Sequence, residues 1–302
     1  TRWYLNDYPV QCRIREDGLL VVGSPKGSVW KHDISTESRL LHDAPLWIGG
    51  ILSGFMVLLI LISFFWTPYG TTAMDAAVKF SPPSLQHIMG CDSYGRDIFS
   101  RILEGAGTSF LIAVCVVLIG VIAGTLIGAL TGYFGGWADE LLMRICDSVT
   151  AFPSILLALV VVAVVGGNKV TITWTLGILF IPSFARIVRG EYAKARGCNY
   201  VKSARLMGAS SFRIMFRHIL PNAVPVLLPA VTIGFNNAVL AEASMSYLGI
   251  GVQPPDASLG RMLAEAQVYL KNAPWYVLFV GLTIVLLILG FSLLGEGLQR
   301  KK

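Results

Sequence analysis

The chain has 302 residues, 54% of them hydrophobic and 14% charged, with 24 Lys and Arg against 18 Asp and Glu for a net charge of +6. Ordinary soluble domains carry about 25% charged residues, and here the apolar excess is gathered into long uncharged blocks, which excludes a soluble globular enzyme. A disordered chain is excluded too, because it would need low hydrophobicity and high charge.

Residues 1–45 form a polar segment with six basic and six acidic residues. Within it, Leu19 to Val22 followed by Gly23-Ser24-Pro25-Lys26-Gly27-Ser28 reads as a strand entering a turn, a small hairpin. No cleavable secretory signal is expected, since the first 46 residues are polar, and Thr1 suggests that the chain starts inside its gene product.

A helix needs roughly 20 mostly apolar residues to cross the hydrocarbon core, so gaps between charges can be read as candidate spans. The first runs from Leu46 to Trp66, the second lies between Glu104 and Asp139, and the third between Asp147 and Lys169. The fourth follows Lys169 to a snorkelling Arg186, the fifth runs from Ile219 to Ala241, and the sixth lies between Lys271 and Glu296. Uninterrupted runs of this length exclude the alternating pattern of a membrane barrel, so the predicted fold is all-α with six transmembrane helices.

Between the first two spans lies an outer segment, Thr67 to Gly107, with Ser81-Pro82-Pro83 and the run Gly90-Cys91-Asp92-Ser93-Tyr94-Gly95-Arg96-Asp97. In the second span, glycines 120, 124, 128 and 132, followed by 135 and 136, have the small-residue spacing that lets helix backbones approach closely. Phe152-Pro153 and Ile181-Pro182 are each able to bend their helix. The stretch from Arg186 to His218 carries eight basic residues and one acid, Glu191, so it is expected in the cytoplasm together with both termini. The basic tail Arg300-Lys301-Lys302 agrees with this.

That loop predicts two short amphipathic helices separated by Gly208, with Pro221 preceding the next span. In the first, Tyr200, Val201, Ala204, Met207 and Gly208 fall on one apolar stripe, and in the second Phe212, Met215, Phe216 and Ile219 share a face. Such helices either lie in the membrane interface or insert into a groove on a cytoplasmic partner.

Chemistry-bearing groups are sparse. The interiors of the first, second and sixth spans hold no charge. Arg144, Asp147 and Glu242 read as interfacial or packing charges, and Asn236 and Asn237 as hydrogen-bonding partners of neighbouring helices rather than substrate contacts. There is no Gly-x-x-x-x-Gly-Lys-Ser/Thr loop, no His-Glu-x-x-His, no Gly-x-Ser-x-Gly and no filter-like run. No catalytic, cofactor or metal residue is therefore expected, and energised work would draw on another chain. Five cysteines (Cys12, Cys91, Cys115, Cys146, Cys198) have no paired spacing and read as incidental thiols.

Tyr200-Val201-Lys202-Ser203-Ala204, Gly208 and Arg217-His218-Ile219-Leu220-Pro221-Asn222 resemble the cytoplasmic coupling loop of ABC importer permeases. More narrowly, the chain is similar to the second permease subunit of the dipeptide, oligopeptide and nickel uptake family. Gly90 to Asp97 with Ile98-Phe99-Ser100-Arg101, Asp139-Glu140 through Met143-Arg144 to Asp147, Ala151-Phe152-Pro153-Ser154, Leu248 to Pro255 and Leu294-Gly295-Glu296-Gly297-Leu298 carry the match from the first span to the end. It departs at Lys202-Ser203-Ala204, where the family opens with Glu-Ala-Ala, at Cys91, where a Thr is common, and at Glu296, where Asp is usual.

The resemblance implies a type I importer transmembrane domain over residues 46–302, with a coupling loop over 190–222. It implies pairing with a second permease in a heterodimer, two cytoplasmic ATPase subunits that bind ATP and magnesium, an external solute-binding protein, and a prokaryotic inner membrane location without nucleic acid. Asn199, Tyr200, Val201, Lys202, Ala204, Arg205, Met207 and Gly208 would couple to the ATPases, with Tyr200, Ala204, Met207 and Gly208 as the packing face. Gly90, Asp92, Gly95, Arg96 and Asp97 would form the outer-loop motif. Peptide is the first substrate expected and nickel or a nickel chelate the second. A self-contained carrier or channel, and a structural scaffold, are the readings from other classes.

Overall fold

The computed structural model describes the backbone of residues 2–5, 8–14, 19–23, 29–33 and 35–300, and the side chains of residues 45–299. Four strands, β1 (Arg2–Leu5), β2 (Tyr8–Ile14), β3 (Leu19–Gly23) and β4 (Val29–Asp33), pair antiparallel in the order β1-β2-β3-β4. The expected hairpin is the β3–β4 pair, Leu19 opposite Asp33 and Gly23 opposite Val29; its turn lies outside the described residues. The sheet of short β-branched and aromatic runs enlarges the expected hairpin and precedes the helices, and from Ser35 onward the spans are helical, the all-α membrane class expected.

Ten helices follow among the described residues: α1 (Ser35–Ser63), α2 (Ile98–Phe134), α3 (Gly136–Thr150), α4 (Ser154–Val165), α5 (Lys169–Arg196), α6 (Asn199–Leu206), α7 (Ser211–Arg213), α8 (Leu220–Tyr247), α9 (Leu259–Val268) and α10 (Pro274–Arg300). A π-helical turn, Ile214–Ile219, joins α7 to α8 without a break. Five segments are long and apolar enough to span: Pro45–Ser63, α2, α5, Ser211–Tyr247 and Pro274–Gln299. The third expected span is not one straight helix. Of it α4 fills only Ser154–Val165, and the crossing also takes α3, most of which precedes Asp147; the two helices meet at an 81° bend. Phe152 precedes Pro153, and a residue in that position is driven out of the helical region, so the chain breaks there. By contrast α5 continues through Pro182 and runs ten residues beyond Arg186, where its span was expected to end.

Glycine contacts fix the helix directions. A Cβ on Gly120 would meet Phe180 and Phe184, on Gly124 Ile181 and Ala185, on Gly128 Ala185 and Val188, and on Gly132 Arg189 and Tyr192. Both series ascend, so α2 and α5 are parallel neighbours, pressed together along the glycine ladder that the sequence predicts. Two parallel neighbours in one membrane require the chain between them to cross back. The bent α3–α4 pair therefore completes one crossing, and the count is six. Leu46 meets Gly297 and Ser53 meets Gly290, so α1 and α10 are antiparallel and the start of α1 and the end of α10 share one side.

Buried apolar side chains form two cores. The larger joins α2, α5, α8, α9 and α10 through residues such as Ile102, Val116, Phe184, Phe235, Met245 and Tyr276. The smaller gathers Tyr133, Val188, Tyr192, Val201, Ala204, Ile214, Met215 and Ile219 where α2 and α5 end and α8 begins.

Candidate functional site

Helix α6 sits on that smaller core. Cys198 N-caps it without a side-chain bond, and Gly208 ends it at φ +81°. Gly208 N–H donates to Arg205 O at 3.1 Å and Ala209 N–H to Ala204 O at 3.1 Å, the paired bonds of a Schellman stop that favours glycine at this position. Val201 and Ala204 are 1% and 3% exposed and face inward, whereas Leu206 and Met207 are 89% and 81% exposed and Tyr200 is 41% exposed. This corrects the single stripe expected over Tyr200, Val201, Ala204, Met207 and Gly208. The helix has two apolar sides, an inner one of Val201 and Ala204 packed on its own chain and an outer one of Tyr200, Leu206 and Met207. Asn199, Lys202 and Arg205 are exposed.

The expected face of Phe212, Met215, Phe216 and Ile219 is also revised. Phe212 is exposed, and Ile214, Met215 and Ile219 are buried. The π turn supplies the reason, because its wider turn moves side chains off the 3.6-residue register from which that face was read.

Arginines pin α6 and the end of α5 to the end of α2. Arg205 Nη2 donates to Tyr133 Oη at 3.2 Å and its guanidinium lies 5.6 Å from the ring centroid. Arg196 Nη1 donates to the Tyr133 and Phe134 carbonyls at 3.4 and 3.3 Å, a cation at the negative end of a helix dipole. Tyr192 Oη donates to Met215 O at 3.0 Å, tying α5 to the π turn. Helix α3 is clipped to α5 by Arg189 to Asp139 at 2.5 and 2.7 Å and by Arg186 to Asp147 at 3.0 Å.

On the opposite side, the 90–97 motif closes on itself around two buried carboxylates. Asp92 Oδ1 accepts from the Tyr94 and Arg96 amides at 2.8 and 3.0 Å. Asp92 Oδ2 accepts from Arg96 Nε and Arg101 Nη1, both at 2.7 Å. The two arginines also reach Glu265 Oε2 on α9 at 3.2 and 3.1 Å. Asp97 N-caps α2, accepting from Ser100 N and Oγ at 2.8 and 2.7 Å, and pairs with His87 Nδ1 at 2.9 Å. Gly90 and Gly95 hold φ of +77° and +75°, and a side chain on Gly95 would strike the Asp75 backbone. The motif is thus a rigid clasp between the outer segment, α2 and α9. Glu265, which both arginines reach, lies far along the chain and nothing in its local sequence marks it. Burial and the neighbouring carboxylates push the Cys91 thiol, beside them, up to about 11.

Between these ends, α4, α5 and α8 border a cleft of about 640 Å³ that includes Ser154, Ser183, Asn237 and Ser244. Its lining contains no charged side chain. Asn237 was expected to bond a neighbouring helix, but it is exposed in this cleft, and Asn236 Oδ1 is buried without a partner. Glu242, five residues before the end of α8, is fully buried; its Oε1 accepts from Ser246 Oγ at 2.6 Å and its Oε2 is buried without a partner. Among the described residues no group of three or more His, Cys, Asp or Glu side chains is placed to hold a metal ion.

Six crossings, a helix with an unpartnered apolar side projecting at one end, and an uncharged cleft at mid-depth define a membrane transport subunit. The chain belongs to the family of binding-protein-dependent transport system inner membrane components, whose model matches residues 124–302. Among its relatives, the glutathione transport system permease protein GsiD of Pectobacterium atrosepticum is 42% identical over 255 residues, 82% of this chain and 84% of that protein. GsiD of Escherichia coli is 44% identical over 249 residues, 81% of this chain and 82% of that protein. A Brucella abortus protein whose name assigns it provisionally to a peptide transport system is 39% identical over 266 residues, 88% of this chain and 90% of that protein. The fold is shared with a chain of the inward-facing MetNI methionine ABC transporter, at TM-score 0.55 and 20% identity over 65% of this chain and 93% of that one.

Proposed function

We propose that this permease forms one half of a peptide path, pairs with a second permease, and docks α6 into separate ATPase subunits on the cytoplasmic side while a solute-binding protein delivers substrate to the 90–97 side. Both termini then lie in the cytoplasm. The observation that carries this reading is the two-sided apolar character of α6. Val201 and Ala204 fasten the helix to the core of α5 and α8, while Leu206, Met207 and Tyr200 remain open at the end of the molecule. A helix fixed on one side and apolar on the other is suited to the groove of a partner protein. Displacement of α6 by closing ATPases would pass to α5 through Tyr192 and Met215, and to α2 through Arg205 and Tyr133. The spans would then rock about the cleft, as alternating access requires.

The names of the relatives support peptide, including glutathione, as the substrate. A nickel path is less well supported, because a metal path would be expected to present imidazole, thiolate or carboxylate ligands, whereas the cleft lining is hydroxyl, amide and hydrocarbon.

The test uses the complete complex. Leu206→Glu with Met207→Glu places two carboxylates on the outer side of α6 and leaves Val201 and Ala204 alone. The expected result is that the permease pair still copurifies while the ATPase subunits no longer do. Retention of the ATPases with uptake at the wild-type rate would overturn the docking role.

A further inference from the structure

Helix α8 crosses the middle of the bundle with Ile233, Asn237, Leu240 and Ser244 on one cleft-facing side, at the i, i+4, i+7, i+11 spacing of a single helical face. Across the cleft, α5 contributes Ser183 and α4 contributes Ser154. Asn237 is exposed at mid-span, where an unpartnered carboxamide facing hydrocarbon is costly and polar side chains accordingly turn to a bundle interior or a watery cavity. The position of this side chain therefore marks the cleft as the wet side of the subunit.

Its chemistry narrows what passes. A carboxamide offers one acceptor oxygen and two N–H donors, which complement the N–H and C=O of a peptide bond whatever side chains flank it. The Ser183 hydroxyl adds a donor that rotates to suit, and Ser244 Oγ, whose proton goes to Leu240 O at 2.7 Å, adds an acceptor. A wall without fixed charge holds neither the ammonium nor the carboxylate end of a peptide tightly. A conducting path needs that weakness, because binding must permit release. We propose that Asn237 is the peptide-bond contact of this half of the path, a positioning residue that recognises main chain and leaves side-chain selection to the partner that delivers substrate. The inference rests on the peptide-permease reading above.

The test reconstitutes the complete importer with its binding protein in proteoliposomes and measures uptake of two probes, anionic glutathione and uncharged-side-chain trialanine, each relative to wild type. Asn237→Leu is expected to slow both probes roughly tenfold, the scale of one or two lost hydrogen bonds. Asn237→Asp is expected to slow glutathione more than trialanine, and Asn237→Lys to reverse that order, a change of sign that loss of packing alone would not give. An unchanged ratio of the two probes in both charged variants overturns the proposal. In parallel, Asn237→Cys with Cys12, Cys115 and Cys198 changed to serine is expected to react with a membrane-impermeant methanethiosulfonate in the assembled complex. Absence of reaction overturns the proposal even if the charged variants fail to assemble. Wild-type complex that imports neither probe would refute the peptide-permease reading itself, whereas wild-type import with indifferent Asn237 variants refutes only this contact.

Discussion

The hydroxyl of Tyr192 donates a 3.0 Å hydrogen bond to the carbonyl of Met215, which also accepts the Leu220 amide that closes the π turn. Tyr192 and Met215 are both buried, so this bond joins the last third of α5 to the start of α8 inside the smaller core. Because Met215 O keeps its backbone donor, Tyr192→Phe removes a bond without orphaning an acceptor. The cost should be about 1 kcal/mol, a normal net hydrogen bond. The purified complex should show a modest fall in melting temperature and a larger fall in peptide imported per ATP hydrolysed. A lower melting temperature with unchanged stoichiometry would mean that this bond stabilises without transmitting motion.

The α2–α5 interface makes a sharper contrast. A Cβ on Gly128 would come 2.5 Å from Ala185 O and 2.8 Å from Val188 Cβ, so Gly128→Ala forces two backbones apart. Overpacking of this kind costs on the order of 1–3 kcal/mol. A Cβ on Gly190, in α5, would meet nothing within 4 Å, and alanine there removes the helix-interior glycine penalty of about 1 kcal/mol. Gly128→Ala should lower the melting temperature of detergent-solubilised protein and Gly190→Ala should hold or raise it. Equal effects would contradict the parallel packing on which the six-crossing count depends.

Among ion pairs, burial decides which matter. Arg101 and Asp92 have side chains 3% and 1% exposed and share the Glu265 network. Arg101→Met leaves Asp92 inside with Arg96 as its one guanidinium, and losing one bond to a buried charged group costs roughly 1.5–3 kcal/mol. Lys169 and Asp256, 2.8 Å apart, are 46% and 38% exposed, so Lys169→Met should change stability by no more than about 1 kcal/mol. Limited proteolysis of the outer segment should be accelerated in the first variant and not in the second.

Thiol labelling tests sidedness. Cys198, exposed at the start of α6, should react with an impermeant maleimide in inside-out vesicles and not in intact cells, in a background with Cys12 and Cys115 changed to serine. Cys91 is buried, and a thiol held near 11 stays protonated up to that pH, since a raised value keeps the unreactive form dominant below it. It should label from neither side, even at pH 9. Labelling of Cys198 from outside would invert the orientation.

The sequence was most legible where one physical constraint acts along the chain. Gaps between charges locate the helices because hydrocarbon tolerates little else, and the recurrence of glycines 120, 124, 128 and 132 announces a close helix contact. Legibility failed where geometry departs from a regular period. The π turn at Ile214–Ile219 moved Ile214 into the core and Phe212 out of it, and Pro153 broke a run that hydropathy reads as one span.

By itself, then, the amino-acid sequence determined the membrane-spanning class, the all-helical spans and the position of the basic loop, since each follows from local composition against a fixed solvent. Tertiary structure alone decided that α2 and α5 run parallel, that Glu265 meets Arg96 and Arg101 across more than 160 residues, that α6 faces inward with Ala204 and outward with Met207, and that Asn237 opens into the cleft. Those relations arise from packing between segments distant along the chain, and no periodicity within a segment records which neighbour it will meet.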